Sequence, residues 1–382
     1  MDICVLNPFF YPYTGGTEKV LYEVYKRLAK RHNITAIVAA PEHRDGYVEE
    51  IEGIKIVRLK SRYISIPGLP LPFVAMENIR NAIVREGCSL YHINNRYQFF
   101  NNTLRAIKGM NKKLALTIHN AMPKGIDAAT DSLGLTYDIV WSRRLMHNAD
   151  VITGISKNVV ETTVPSEEQG KTHIVYNGVD FRRFRKLRGS RRVREIAKSL
   201  NLDCDTIVTN GRLVPQKGQI YLLKAVSELV REGRELGLMI IGTGYLRRYL
   251  YKTAHRLGIQ EKFGIVNGIS EETLPYYYNV GSAFALPSLY EPASLVILEA
   301  LACEMPCVAS RIGGIPEMMR KCGVYSEPRD VDSIKEGVSI LLDDRKKSEA
   351  LAECGRRLMI RLHDWDKISR QYERLFLATA HY

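Results

Sequence analysis

The chain has 382 residues, 45% of them hydrophobic, and carries 55 Lys or Arg against 42 Asp or Glu, a formal net charge of +13. That length gives material for two domains with buried cores, and the charge favours an acidic partner: nucleotide phosphate, anionic lipid or nucleic acid. No run of about 18 apolar residues occurs, which excludes a membrane-spanning helix, and the start MDICVLNPFF does not have the pattern of a signal peptide. The seven cysteines (Cys4, Cys88, Cys204, Cys303, Cys307, Cys322, Cys354) show neither a CxxC pair nor regular spacing. Neither a zinc site nor a disulfide framework is expected, and a reducing, cytosolic setting follows.

Residues 2–6 read as a buried strand, and after a loop over 8–13 the pair Gly15-Gly16 leads into an amphipathic helix over 20–30. Adjacent glycines admit close backbone approach, and the free N–H groups of a helix start suit a phosphate. A plain tight turn explains the pair equally well, because GxGxxG is absent. Strands over 34–39 and 54–59, a helix over 74–86, a strand over 90–93, a helix over 102–110 and a strand over 114–118 continue the alternation. Such alternation implies a parallel sheet with helices on both faces. His119 stands at the carboxyl end of the last of these strands, where a ligand contact or the capping of a neighbouring loop would both place it. The stretch 62–73 (RYISIPGLPLPF) holds three prolines and several apolar side chains. It suits an acceptor groove, a membrane surface, or packing on its own domain. A surface helix over 137–148, with Arg143-Arg144, precedes a strand over 151–154, and Ser156 is placed to cap the next helix.

A strand over 172–175 ends in the turn Tyr176-Asn177-Gly178-Val179-Asp180, and eight Lys or Arg fall within 182–194. A domain boundary is expected there. The basic run reads as a solvated linker face rather than a nucleic-acid patch, since no aromatic interleaving or recognised motif accompanies it. From 206 the strand and helix pattern restarts. Between its first strand (206–210) and helix (219–232), Gly211 to Gly218 (GRLVPQKG) puts Arg212 and Lys217 on one loop. A rigid guanidinium fork and a mobile ammonium can clamp a diphosphate and neutralise charge on a leaving group. Gly242-Thr243-Gly244 makes a second tight approach after a strand over 237–241 and before a helix over 246–257, and Gly268-Ile269-Ser270 follows a strand over 263–266, where backbone suits a flat base. After a tyrosine-rich helix over 271–280 and a strand over 283–286 comes EPASLVILE, in which Glu291 and Glu299 bracket seven residues. Pro287 and Pro292 keep the segment before it a loop, and Ser294 is the expected N-cap. Two carboxylates at a helix mouth suit the hydroxyls of a sugar; two glutamates solvating a helix are the plainer alternative. A strand over 307–310 then leads to Gly313-Gly314-Ile315-Pro316-Glu317, a further phosphate-permissive loop, and the remainder is helical, ending in 368–378 with Trp365 as anchor.

Taken together, the Gly15-Gly16 turn with Glu18, His119, Asn177-Gly178-Val179-Asp180, GRLVPQKG, Gly242-Thr243-Gly244, the Glu291 and Glu299 spacing and GGIPE resemble the retaining, nucleotide-sugar-dependent glycosyltransferases of family 4 (glycosyl transferases group 1). The resemblance implies an α/β, GT-B fold: two Rossmann-like domains facing across a cleft, with a C-terminal helix crossing back to the first. Its divisions would be 1–181 (acceptor side), 182–204 (basic linker), 205–362 (nucleotide-sugar binding) and 363–382 (returning helix). It implies that Arg212 and Lys217 hold the donor diphosphate, Glu291 the transferred sugar and Glu299 the ribose. Gly268 and Ile269 would meet the base, Gly313 and Gly314 the donor, and His119 with the Gly15-Gly16 backbone the reacting sugar.

The implied reaction retains anomeric configuration and uses no covalent nucleophile. It needs neither metal nor cofactor beyond a UDP or GDP sugar, and serves a glycan or lipid-linked acceptor. The setting implied is cytoplasmic, peripheral at the anionic inner membrane face, with nucleic acid not expected as a partner. Two positions depart from the family: Pro292-Ala293-Ser294 stand where Gly-Phe-Gly is common, and Glu304 where glycine is common. A non-catalytic subunit of a glycan-synthesis complex, a sugar-nucleotide epimerase and a sugar phosphorylase are the competing uses of the same architecture.

Overall fold

Apolar runs of four to seven residues, each followed by an amphipathic stretch, build two separate parallel sheets. The computed structural model describes residues 1–13, 15–64, 73–96, 103–120 and 142–381. Its two compact units are Met1–Asn177 with Trp365–Tyr382, and Gly178–Asp364.

In the first unit the strands are β1 (Asp2–Leu6), β2 (Asn33–Ala39), β3 (Tyr47–Ile51), β4 (Ile54–Leu59), β5 (Ser61–Ile64), β6 (Phe73–Met76), β7 (Leu90–Asn94), β8 (Lys113–Ile118), β9 (Val151–Gly154) and β10 (Thr172–Ile174). Eight of them form one sheet in the order β10-β9-β8-β7-β1-β2-β4-β3, parallel throughout except for the β3–β4 hairpin. The order reverses between β1 and β7, which pair directly, Ile3 opposite Leu90. The hairpin was not expected from sequence. Its β3 (YVEEI) is an exposed, charged edge strand with no apolar alternation to announce it. The expected helix over 74–86 is corrected as well: β6 pairs with β5, and the helix Ile79–Glu86 starts only after Asn78, whose φ of 56° breaks the run.

The helix Trp365–His381 belongs to this unit. Trp365, Ile368, Tyr372 and Phe376, spaced three to four apart, are buried on one face. Arg27 pairs with Asp366 at 2.6 Å, while Arg31 and His32 both reach Glu373 at 2.7 Å. The Arg31 hydrogen bond holds the Glu373 carboxyl down at about 2.

The second unit's strands are β11 (Asp205–Asn210), β12 (Leu236–Ile241), β13 (Phe263–Val266), β14 (Ala283–Leu286), β15 (Cys307–Ser310) and β16 (Val324–Ser326), ordered β13-β12-β11-β14-β15-β16 and parallel throughout. Two apolar clusters cover its faces, one around Phe284, Leu298 and Met318, the other around Leu222, Ile240 and Leu250. Here the order reverses between β11 and β14, Ile207 lying opposite Ala283. The basic stretch 182–204 folds within this unit and includes the helix Arg191–Ser199. Its cations serve their own fold: Arg183 pairs with Glu271 at 3.0 Å, Lys186 with Glu304 at 3.4 Å, and Arg188 donates to the Ser282 carbonyl at 3.2 Å. Glu304 itself sits at φ 55°, the left-handed conformation at a helix end that favours glycine.

The cysteine expectation is overturned. Cys4 is joined to Cys88 and Cys322 to Cys354, with Cα separations of 5.7 and 5.2 Å. Partners 84 and 32 positions apart meet only through the fold, so spacing along the chain could not reveal them. Their pairing removes the ground on which a reducing compartment was expected. Most of the apolar loop over 62–73, the first part of the helix expected over 137–148 and the start of that over 102–110 lie outside the described residues; the helices Arg143–Asn148 and Leu104–Gly109 are within them.

Candidate active site

In an open parallel sheet the loops leaving two strands that wind in opposite directions separate at the carboxyl ends and leave a crevice. The second unit places its charged motif at that point. The loop after β11 carries Arg212 and Lys217, and the loop after β14 carries Glu291. They meet: Lys217 Nζ lies 2.5 Å from Glu291 Oε2, which also accepts from Ser288 Oγ at 3.3 Å. The two loops are stitched by Leu289 N donating to the Gln216 carbonyl at 2.8 Å. Gly218, at φ 63°, lies where a Cβ would run into the Pro287 carbonyl oxygen. Only glycine lets the loops approach this closely.

Glu291 is also held from the β15 side. Gly314 N donates to its carbonyl at 3.0 Å, and a Cβ on Gly313 (φ 51°) would collide with that same oxygen. Loops from three strand ends, those of β11, β14 and β15, therefore converge on Glu291, the first two at its buried carboxylate and the third at its backbone carbonyl. Arg212 stands apart from the pair; it is exposed, and among the described residues it has no carboxylate partner. Its carbonyl accepts from Gln219 Nε2 at 2.9 Å, which ties the Arg212 backbone to the next helix.

Eight residues on, Glu299 lies buried in the helix Leu295–Ala302, whose N-cap Ser294 accepts from Ile297 N as expected. Its Oε2 accepts from Tyr278 Oη at 2.8 Å, and Tyr278 in turn accepts from Asn210 Nδ2 at 2.9 Å. Burial, then the Glu299 charge, push the Tyr278 phenol well above its ordinary value, so it stays a protonated donor. Sequence reasoning missed both Tyr278 and Asn210. Asn210 was the better signposted, a polar residue closing an apolar strand directly before Gly211-Arg212.

Gly268 and Ile269 follow β13 at the sheet edge, two strands from β11; Gly268 is exposed at φ 66°. Among the described residues no hydrogen bond joins them to Glu291.

The first unit offers a second strand-reversal point with different chemistry. After β1, Gly15 is the N-cap of the helix Gly16–Leu28, and its carbonyl accepts from Lys19 N at 3.0 Å. Glu18 in the first turn is buried, and desolvation raises its carboxyl above the ordinary range. β7 ends in Asn94 and is followed by Asn95. Asn95 Oδ1 accepts from His119 N at 3.0 Å, and Asn94 Oδ1 lies 3.1 Å from His119 Nε2. An amide oxygen only accepts, so Nε2 carries the proton and Nδ1 is the acceptor.

His119 is buried, and desolvation lowers it to about 3; it is a neutral imidazole across the ordinary pH range. Beneath it His92 contacts Tyr25 Oη and Thr117 Oγ1, the latter at 2.7 Å, and burial lowers it to about 3 as well, with His119 adding to the shift. The asparagine pair was not singled out from sequence, although two amides ending an apolar strand are a signal of the same kind as Asn210.

Residues 193–358 match the family described as glycosyl transferases group 1, and residues 14–183 match Glycosyltransferase Family 4. Over 235 residues the chain is 34% identical to a GDP-mannose-dependent alpha-(1-6)-phosphatidylinositol monomannoside mannosyltransferase of Mycolicibacterium smegmatis, covering 58% of this chain and 61% of that one. It is 23% identical over 381 residues to one of the subunits of human phosphatidylinositol N-acetylglucosaminyltransferase, covering 98% of this chain and 75% of that one. The chain spans about three fifths of the length of several curated relatives it matches. Among solved structures, HepE of Anabaena in complex with UDP superimposes with a TM-score of 0.80 at 17% identity, covering 99% of this chain and all of that one, a likeness of fold.

Proposed function

Because the chain belongs to the family-4-like GT-B glycosyltransferases, we propose that it transfers a sugar from a nucleoside-diphosphate sugar to a glycan or lipid-linked acceptor, with retention of configuration. The observation that carries this reading is the meeting of Lys217 with the buried Glu291 at the strand-reversal point, beside an exposed Arg212 that has no carboxylate partner among the described residues.

In this reading the donor diphosphate takes the two cations, and Lys217, with three donors, keeps Glu291 while it reaches a phosphate oxygen. Glu291 then accepts hydrogen bonds from the sugar's hydroxyls, and Glu299, aimed by Tyr278, from the ribose. The bond from the anomeric carbon to the diphosphate oxygen breaks as the acceptor hydroxyl bonds to that carbon from the same face. The acceptor's proton passes to the departing diphosphate, so no protein nucleophile is assigned. Arg212 and Lys217 stabilise the charge that develops there, the part a divalent cation plays elsewhere. Gly313 and Gly314 shape the loop around the donor, and in the first unit His119 and the Gly15-Gly16 backbone offer neutral hydrogen-bonding groups suited to sugar hydroxyls. His119 acts as a neutral hydrogen-bonding group, not as an acid.

One relative is named for GDP-mannose and for phosphatidylinositol, and a fold neighbour was solved with UDP. The donor base is therefore taken between guanine and uracil. The test is a thermal-shift panel with UDP, GDP, ADP and CMP. A ligand at about 100 times its Kd adds roughly 2.7 kcal/mol of stability. A shift with UDP or GDP alone, followed by turnover of the matching sugar nucleotide, is the expected result; no shift with any of the four would remove the donor site.

A further inference from the structure

Several cations in the second unit pair with its own carboxylates. Besides those of the 182–194 stretch, Arg234 pairs with Asp343 at 2.6 Å and Lys262 with Asp203 at 2.6 Å. The helix Arg247–Arg256 differs in gathering its cations within a stretch that has no acidic residue. Residues 242–260 contain Arg247, Arg248, Lys252 and Arg256 and no Asp or Glu. Among the described residues Arg248 and Lys252 have no carboxylate partner, and the hydrogen bond of Arg256 is to Thr253 Oγ1 at 3.3 Å.

At about 100° per residue, Arg248, Tyr249, Lys252 and Arg256 fall within a single arc of the helix, opposite the buried Leu250, Thr253 and Ala254. All four are exposed. Tyr249 is 49% accessible, and Tyr245, in the turn just before the helix, is 73% accessible. Arg247 and Tyr251 are otherwise engaged: the guanidinium lies over the Tyr251 ring, which packs edge-on against Phe263. Tyr245 and Tyr249 thus add two exposed, amphipathic rings to an uncompensated positive face.

We propose that this face docks on an anionic lipid surface. Cations without internal partners call for an external anion, and the rings decide which. Tyrosine settles at the level of lipid headgroups, its ring toward the acyl boundary and its hydroxyl toward water, between side chains whose charged heads reach the phosphates. A helix of ten residues, about 15 Å long, presents a footprint suited to lying in such an interface.

The face also abuts the donor loop. Leu213 N donates to the Thr243 carbonyl at 2.7 Å, and Leu246 N to the Leu213 carbonyl at 3.2 Å, so the turn bearing Tyr245 is bonded to the segment bearing Arg212. Docking by this face brings the donor site to the lipid surface. The choice of a lipid partner rests on the proposed transfer to a lipid-linked acceptor; the binding itself needs neither donor nor acceptor.

The test is co-sedimentation of the full chain with vesicles of phosphatidylcholine alone and of phosphatidylcholine mixed with phosphatidylglycerol, with duplex DNA as a second polyanion. The wild type should bind the mixed vesicles and not the neutral ones. Each cation near such a surface is worth about fivefold, so Arg248→Glu with Lys252→Glu should weaken binding more than tenfold. Tyr245→Ser with Tyr249→Ser should weaken vesicle binding several-fold and leave DNA unaffected. Both variants should keep the wild-type melting temperature and nucleotide response.

Undiminished vesicle binding by the charge-reversed variant would overturn the proposal. So would wild-type indifference to phosphatidylglycerol, or DNA binding as tight as vesicle binding with the tyrosine variant unchanged toward both. If vesicles behave as expected while no nucleotide shifts the wild type, the surface stands and the glycosyltransfer reading falls.

Discussion

The two strand-reversal points of this protein share a topology and differ in their electrostatics. In the second unit the crevice holds Arg212, Lys217 and two buried carboxylates, a place built from full charges. In the first it holds two asparagine amides, a histidine kept neutral by burial and a glutamate whose carboxyl is raised by burial. Charges arranged in partial burial bind another charged group strongly, whereas neutral donors and acceptors select by geometry at lower cost in desolvation. The contrast suits a diphosphate at the second unit's crevice and uncharged hydroxyls at the first unit's.

The largest expected effect tests the charged side. Arg212→Ala or Lys217→Ala should lower kcat roughly 10²-fold, as loss of one preorganised charge-stabilising donor does, read from initial rates with saturating donor. Near-normal turnover in either would erase the distinction between the two crevices. Next comes the backbone that holds the charged loops together. Gly218→Ala places a side chain at φ 63° and against the Pro287 carbonyl, and should cost about 2 kcal/mol or more, seen as a melting temperature lower by roughly 5 °C.

The neutral side is tested by pH. With a folded value of about 3 against an ordinary 6.5, His119 binds more protons when unfolded between those limits. Its contribution is therefore complete above pH 6.5 and is lost as pH falls toward 3, at about 1.4 kcal/mol per pH unit. Denaturant titrations at about pH 7 and pH 5 should show His119→Asn with a visibly flatter pH dependence than the wild type; equal slopes would mean the imidazole is not desolvated. The smallest effect concerns the tyrosine behind Glu299. Tyr278→Phe removes the hydrogen bond to Glu299 together with the one from Asn210; loss of the aim on Glu299, about 1 kcal/mol, should weaken nucleoside-diphosphate binding about fivefold while leaving the 2′,3′-dideoxy analogue unaffected. Equal loss for both ligands would make Tyr278 a packing residue only.

How much of this was legible in the sequence follows the same division. The buried strands were readable because their apolar runs are local, as in β1, β4, β9, β13, β14 and β15, and the Ser156 and Ser294 caps because capping is local too. Charged site residues announced themselves through residue type and spacing in GRLVPQKG and EPASLVILE. What stayed hidden depends on contacts far apart in the chain. Lys217 and Glu291 are 74 positions apart, and Asn210 and Tyr278 are 68 apart. The two disulfides are equally non-local. Strands β3 and β16 escaped for another reason: both lie at sheet edges, where partial exposure blurs the apolar pattern.

The central claim is that a donor diphosphate is held at the strand-reversal point of the second unit by Arg212 and Lys217. Calorimetric titration of UDP and GDP, each against its monophosphate, into the wild type, Arg212→Ala and Lys217→Ala tests it most directly. The account predicts that the second phosphate tightens binding of one base in the wild type and that each substitution removes most of that gain while monophosphate affinity changes little. A gain from the second phosphate that persists in both variants would contradict it.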